Sequence, residues 1–427
     1  MLEQLEMEIT AVLERAARKH CGFSEANGFL RETALHYSAE HLTAPKPDVI
    51  VLGEDIPQEL VWACSKNPWF ILGGNLETTR WSDSLVPRDA DPVSRSALGW
   101  LLNDHFHLAE NALVVLALSS DNRRKLAGLL RRHGVQTAAV DMPPRYDTES
   151  YQKAWVEGML RLTEEISAHT RVRLTSRRLN EAIREKHQMQ RAIANFKSAV
   201  LQAPGCMSPM LREIILESAW FTDHRREWAN RLRRLTGQVA AWSRCHYQQP
   251  DPRPWVLLAG SPVIFPNEKL PELLEASGLY LADRADTVAL QGDMPCVTGR
   301  TTRSILRRMA ASRMPREASG AWVCNTGLFS AVHDRLEKLP IDGIVYHVLK
   351  GQVEYDFELP NIERIAAEYG MPVIRLETDY QQQDVEQLRI RLETDYQQQD
   401  VEQLRIRLDA SSEMLRQRDL EGMRLAQ

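Results

Sequence analysis

Cysteine is scarce in this 427-residue chain and scattered along it. Six occur, Cys21, Cys64, Cys206, Cys245, Cys296 and Cys324, and none forms a C-x-x-C pair. Neither a zinc ribbon nor a thioredoxin-like redox motif can therefore be read. In a reducing cytosol such thiols pack as small hydrophobes rather than pairing as disulfides. Glycine-rich phosphate loops are also missing: there is no Walker loop and no G-x-G-x-x-G, so ATP or dinucleotide binding has no support. No run approaches the roughly 20 apolar residues that cross a bilayer. The opening MLEQLEMEITAVLERAARKH reads as an amphipathic charged helix without the features of a signal peptide. The net charge is -5 with both signs mixed, which argues against a nucleic-acid surface needing excess basic residues. The expectation is a cytoplasmic protein with no nucleic acid and no membrane among its partners.

What is present is an ordinary globular balance, 43% apolar and 26% charged, in a chain too long for one core. Residues 1–45 read as a helical segment. From Lys46 the pattern changes: KPDVIVLGEDIPQELVWAC gives a β-branched run, a turn at Gly53 and a helix with Pro57 in its first turn. NALVVLALSS and VQTAAVDMPP read as further buried strands, separated by the helix DNRRKLAGLLRRHG that Gly134 closes. Residues 46–147 thus form a first α/β domain. Residues 148–250 show helical spacing throughout, broken at APGCMSP. After QQPDPRP the strand–helix rhythm restarts over 251–427 with RPWVLLAGSP, LYLAD, GIVYHVLKG and MPVIRLETD. Strands alternating with helices imply parallel sheets with crossover helices. The fold class is α/β, two domains with a helical segment between them.

One feature is unusual. RLETDYQQQDVEQLRI at 375–390 recurs unchanged at 391–406. Two copies fall short of the three or so units a solenoid requires. A 16-residue shift turns a helix face by about 160°, so the copies cannot share one stripe of a straight helix. One copy is expected to dock as strand, loop and helix. A neutral duplication and a functional one both remain open.

Several segments, in order, carry a resemblance: LGEDIPQELVWAC (Leu52–Cys64), DPVSRSALGWLL (Asp91–Leu102), ALSSDNRRKL (Ala117–Leu126) and DGIVYHVLKGQVEYDFELPNIE (Asp342–Glu363), followed by MPVIRLETDY and DVEQLRIRLDA. Together they resemble the 2-hydroxyacyl-CoA dehydratase/benzoyl-CoA reductase family, and within it subunits like the D-component of 2-hydroxyglutaryl-CoA dehydratase. The resemblance implies two flavodoxin-like domains around a cleft, a CoA thioester as substrate, an iron–sulfur cluster and a homologous second subunit. It also implies a separate ATP-dependent activator protein that supplies low-potential electrons.

The likeness fails at the cluster ligands. Where the family has a Cys-Pro, a Cys-Asp and an L-K-x-C, this chain has Asp91, Ser120 and Gln352. Carboxylate, hydroxyl and amide are hard oxygen donors and poor replacements for thiolates. The family's cluster is therefore not expected on this chain by the usual route. Cys64, Cys296 and Cys324 converging on the cleft would be a substitute, as would a water or hard cation held by Asp91, Ser120 and Gln352.

Other residues carry two readings each. Glu59 is either a contact to the thioester or a first-turn carboxylate on a helix dipole. Lys350, with His347 at a strand end, either meets a CoA phosphate or thioester oxygen or is solvated. Glu354, Tyr355, Asp356 and Glu358 form an acidic run at a helix start. Gly260-Ser261-Pro262 resembles the family's second-domain turn. Trp62, Trp69 and Trp81 either line an acyl pocket or belong to the core. The leading functional expectation is a subunit of a dehydratase- or reductase-type complex acting on a CoA thioester beside a cluster-bearing homologue. The alternatives are a cluster-free scaffold or ligand-binding paralogue, and thioester chemistry by oxygen ligands or acid–base groups.

Overall fold

The computed structural model describes residues 2–18, 22–43, 46–102, 110–246 and 252–380. Eight strands occur among them: β1 (Val49–Leu52), β2 (Pro68–Ile71), β3 (Leu113–Leu118), β4 (Thr137–Asp141), β5 (Trp255–Gly260), β6 (Tyr280–Ala285), β7 (Gly343–Leu349) and β8 (Val373–Thr378). They make two four-stranded sheets of identical plan, β2-β1-β3-β4 and β6-β5-β7-β8. Every pairing is parallel. The central strands are buried from end to end because helices cover both faces: VIVL of β1 and GIVYHVL of β7 are buried at every position. The α/β fold with two parallel-sheet domains is thus as the sequence implies.

The edge strand β2 is the element the apolar runs did not announce. It has four residues, opens on Pro68 and is half-exposed at both ends, as suits an edge. Between the sheets, long helices run Glu149–Thr170, Ser176–Leu201 and Arg225–Cys245, with a shorter one at Pro209–Glu217 after the APGCMSP break. Three well-capped starts, at Thr148, Thr175 and Ser208, fix where these helices begin. Trp155, Phe196 and Trp228, all fully buried, sit on their inner faces. Of the duplicated segment, residues 375–378 belong to β8 and 379–380 follow it; the rest of the first copy, from 381, and the whole second copy lie outside the described residues. Among the described residues no helix is long and apolar enough to cross a membrane.

Candidate functional site

In an open parallel sheet of this strand order, the crevice opens where neighbouring connections leave in opposite directions, at the carboxyl ends of the two central strands. Here that happens twice, at β1/β3 and at β5/β7, and the two crevices face each other across one cavity. Glu54 and Asp55 follow β1, Ser119 and Ser120 follow β3, Pro262 follows β5, and Gln352 and Glu354 follow β7; all line that cavity.

Asp91, Ser120 and Gln352, far apart in sequence, line this same cavity. Each sits at the N-cap of a helix: Pro92–Leu101, Asp121–Arg132 and Val353–Glu368, respectively. Three positive helix ends therefore point at one place. Asp91 uses its carboxylate as a cap, accepting from Val93 N at 3.2 Å, Ser94 N at 3.0 Å and the Ser94 hydroxyl at 2.5 Å. Ser120 caps in the same way, accepting from Arg123 N at 3.3 Å. Gln352 reaches across the cleft and donates from Nε2 to Asp91 Oδ1 at 3.0 Å. Asn122 makes a second tie between the domains, donating to Gly351 O at 3.0 Å. Gly351 adopts φ +88° and lies so close to Asp91 that a Cβ would stand 2.9 Å from its backbone nitrogen. Only glycine suits that place.

The remaining lining is charged. Glu54 accepts from the Thr287 hydroxyl at 2.5 Å and faces Arg123 at 3.7 Å. Asp55 accepts from Ser119 at 2.7 Å and Ser319 at 3.0 Å, one from each domain. Burial pushes the carboxyls of Glu54, Asp55 and Glu354 up, and for Glu54 the neighbouring Asp55 adds to it. Among the described residues, Gln352 Oε1, Glu54 Oε2 and Arg123 Nη1 have no hydrogen-bond partner, although all three side chains are buried. The cavity thus keeps two acceptors and one donor for something else.

The other residues singled out in the sequence go elsewhere. Glu59 is buried with Arg313 at 2.6 Å, an ion pair between the helices Gln58–Cys64 and Thr302–Arg313. Lys350 is half-exposed and pairs with Asp89 at 2.8 Å. His347 lies within the sheet, bonded to Ser261 O at 2.9 Å and the Thr378 hydroxyl at 2.7 Å; burial lowers its ring to about 4, so it is neutral. Trp62 is buried with the Arg225 guanidinium 4.6 Å from its ring centre, and Trp81 packs edge-on to Trp100. The residues that sequence reasoning missed are Glu54, Asp55, Arg123 and Thr287. The signal for the first two was their position directly after β1, where open sheets bind ligands.

The donor set does not suit an iron–sulfur cubane. Among the described residues no thiol lines the cavity. Cys64 is buried and donates to Leu60 O, Cys296 donates to Gln190 Oε1, Cys206 is buried, and Cys245 and Cys324 are exposed. Cys21 lies outside the described residues. Nor, among the described residues, do three or more His, Cys, Asp or Glu side chains come together in a metal-binding arrangement.

A family model described as 2-hydroxyglutaryl-CoA dehydratase, D-component, matches residues 55–394. The chain belongs to that family. Among its relatives, a putative dehydratase subunit, YjiM, of Escherichia coli K12 is 23% identical over 338 residues, covering 78% of this chain and 86% of the relative. The (R)-phenyllactyl-CoA dehydratase beta subunit of Clostridium sporogenes is 20% identical over 336 residues, again with 78% and 86% covered. The match begins at the cavity-lining Asp55 and takes in all three helix caps.

Proposed function

We propose that this chain is a cytoplasmic subunit of a 2-hydroxyacyl-CoA dehydratase complex, paired with a homologous subunit that bears the cluster, and that it holds no cluster itself. Dehydration is favoured over ring reduction because both relatives are named as dehydratase subunits. One observation carries the cluster-free reading: Asp91, Ser120 and Gln352 share a cavity but are spent as two helix caps and a hydrogen bond across the cleft. Ser and Asp are preferred caps, each contributing about 1 kcal/mol. The positions have kept a use in the fold while offering hard oxygen in place of thiolate.

In this reading the chain contributes binding and shape. Lys350, on the loop after β7 beside Gly351, stands to meet a CoA phosphate, and Arg123 offers its unpartnered Nη1 to a thioester or hydroxyl oxygen. Glu59, paired with Arg313, braces the helix Gln58–Cys64 rather than touching substrate. The cluster and the ATP-dependent activator act at the partner.

The test is anaerobic co-expression with a homologue carrying the Cys-Pro, Cys-Asp and L-K-x-C motifs. The pair should co-purify and, with activator and ATP, dehydrate a 2-hydroxyacyl-CoA that neither subunit turns over alone. Full activity from the isolated chain would overturn the division of labour. Failure to associate with any such homologue would overturn the pairing and favour a scaffold.

A further inference from the structure

The duplicated segment offers one place in the fold to two stretches of chain. β8 stands at an edge of its four-stranded sheet and, among the described strands, pairs with β7 alone. It can therefore leave the sheet without parting any other two of them. The stretch that fills this slot is IRLETDY, residues 374–380, and the same seven residues recur at 390–396.

The slot is selective along its length. Arg375 pairs with Asp356 at 2.8 Å, and Leu376 packs against the cluster of Val256, Leu258 and Val345. The Thr378 hydroxyl meets the His347 ring at 2.7 Å, and its backbone oxygen accepts from Lys350 N at 2.9 Å. Asp379 O accepts from the Lys269 ammonium, and Tyr380 is 2% exposed within the main core. The second copy repeats each of these residues, as Arg391, Leu392, Thr394, Asp395 and Tyr396. A shift of sixteen residues is even, so every side chain keeps its face of the sheet.

The first mismatch is at Val373, whose counterpart is Arg389. Val373 is half-buried at the start of the edge strand, where an arginine stem can lie along apolar surface with its head in water. Before it, Pro372 contributes a backbone oxygen that accepts from Ile344 N at 2.9 Å, a bond that Leu388 can supply equally. What exchange costs is loop. The connection from the helix Val353–Glu368 would grow from four residues, 369–372, to twenty, 369–388. A loop five times longer costs about tenfold in population.

We propose that the two copies compete for the β8 slot. Ile374–Tyr380 fills it by the shorter connection, and Ile390–Tyr396 takes the same register when the first copy is weakened. The second copy lies outside the described residues; what it brings to the exchange is its sequence. The duplication is then a conformational device, which moves sixteen residues from after the edge strand to before it.

The test weakens the first copy in the full chain and in a chain from which residues 391–406 are deleted. With a single copy, Tyr380→Ala empties a buried aromatic site and should lower the folding equilibrium constant more than about a hundredfold. In the full chain the same substitution should cost no more than about tenfold, because the second copy takes over. Tyr396→Ala alone should be silent, and adding it to Tyr380→Ala should restore the full loss. A thiol reports the exchange directly. Thr394→Cys should react quickly with a maleimide, read by mass spectrometry, and adding Tyr380→Ala should slow it about tenfold or more. Equal losses from Tyr380→Ala in the two chains, or unchanged reactivity at position 394, would overturn the proposal.

Discussion

Two cavities share the helix Pro92–Leu101 yet are built on opposite principles. At its N-terminal end, carboxylates, hydroxyls and amides hold one another, and Asp91 alone accepts four hydrogen bonds. At its C-terminal end, Trp100 helps wall a cavity of rings whose one central amide lacks a partner for its donor. The polar cavity is crossed by hydrogen bonds that tie the domains together, yet Gln352 Oε1, Glu54 Oε2 and Arg123 Nη1 have no hydrogen-bond partner among the described residues. The difference teaches that one helix can wall two cavities of opposite chemistry. Three helix starts converge on one cavity, and the side chains at two of them cap their helices.

The largest effect expected from breaking this comparison lies under the aromatic cavity. Glu217 lines its floor and is held by Arg284 at 2.5 Å, which also binds Asp286 at 2.7 Å and Val263 O. Arg284→Met would leave buried carboxylates without their cation, costing about 3–5 kcal/mol, read as a loss of denaturant midpoint with little change in slope.

Next comes the latch of the polar cavity. Asp91→Ala removes a helix cap and the bond from Gln352, and should cost about 2 kcal/mol. Gln352→Ala should cost about 1 kcal/mol, and the double variant should fall short of the sum because the two touch. Strict additivity in chemical denaturation would contradict the cross-cleft bond.

The smallest effect is a pH slope. Glu8 accepts from Leu76 N and Glu77 N at the start of the helix Leu76–Trp81, near Arg80, yet burial pushes it up to about 7. Between pH 4.5 and 7 the folded chain therefore binds more protons at this site than the unfolded chain, and stability falls as pH rises through that window. Glu8→Gln should flatten the slope of melting temperature against pH between about 4.5 and 7; an unchanged slope would place the titration elsewhere.

Much of the fold was legible because burial on both faces writes itself as continuous apolar runs, as in β1, β3, β5 and β7. β2 escaped because an edge strand of four residues that opens on proline has no such run. At the site, Asp91, Ser120 and Gln352 could be picked out only through the family's motifs, and their shared cavity depends on three loops separated by up to 261 residues. Glu59 was singled out by the family's motif, and its ion pair had no local signal because Arg313 is 254 residues away. Trp69 belongs to the core and also borders the ring-walled cavity, and the rings opposite it come from helices and turns that no local pattern links to β2.

The most direct test of the central claim is a count of iron and acid-labile sulfide in the chain purified alone under anaerobic conditions and reconstituted with both. The account predicts well below one iron per chain. It predicts uptake by the triple variant Asp91→Cys, Ser120→Cys, Gln352→Cys, whose three positions share the cavity. About four irons per unaltered chain, the content of one cubane, would contradict it.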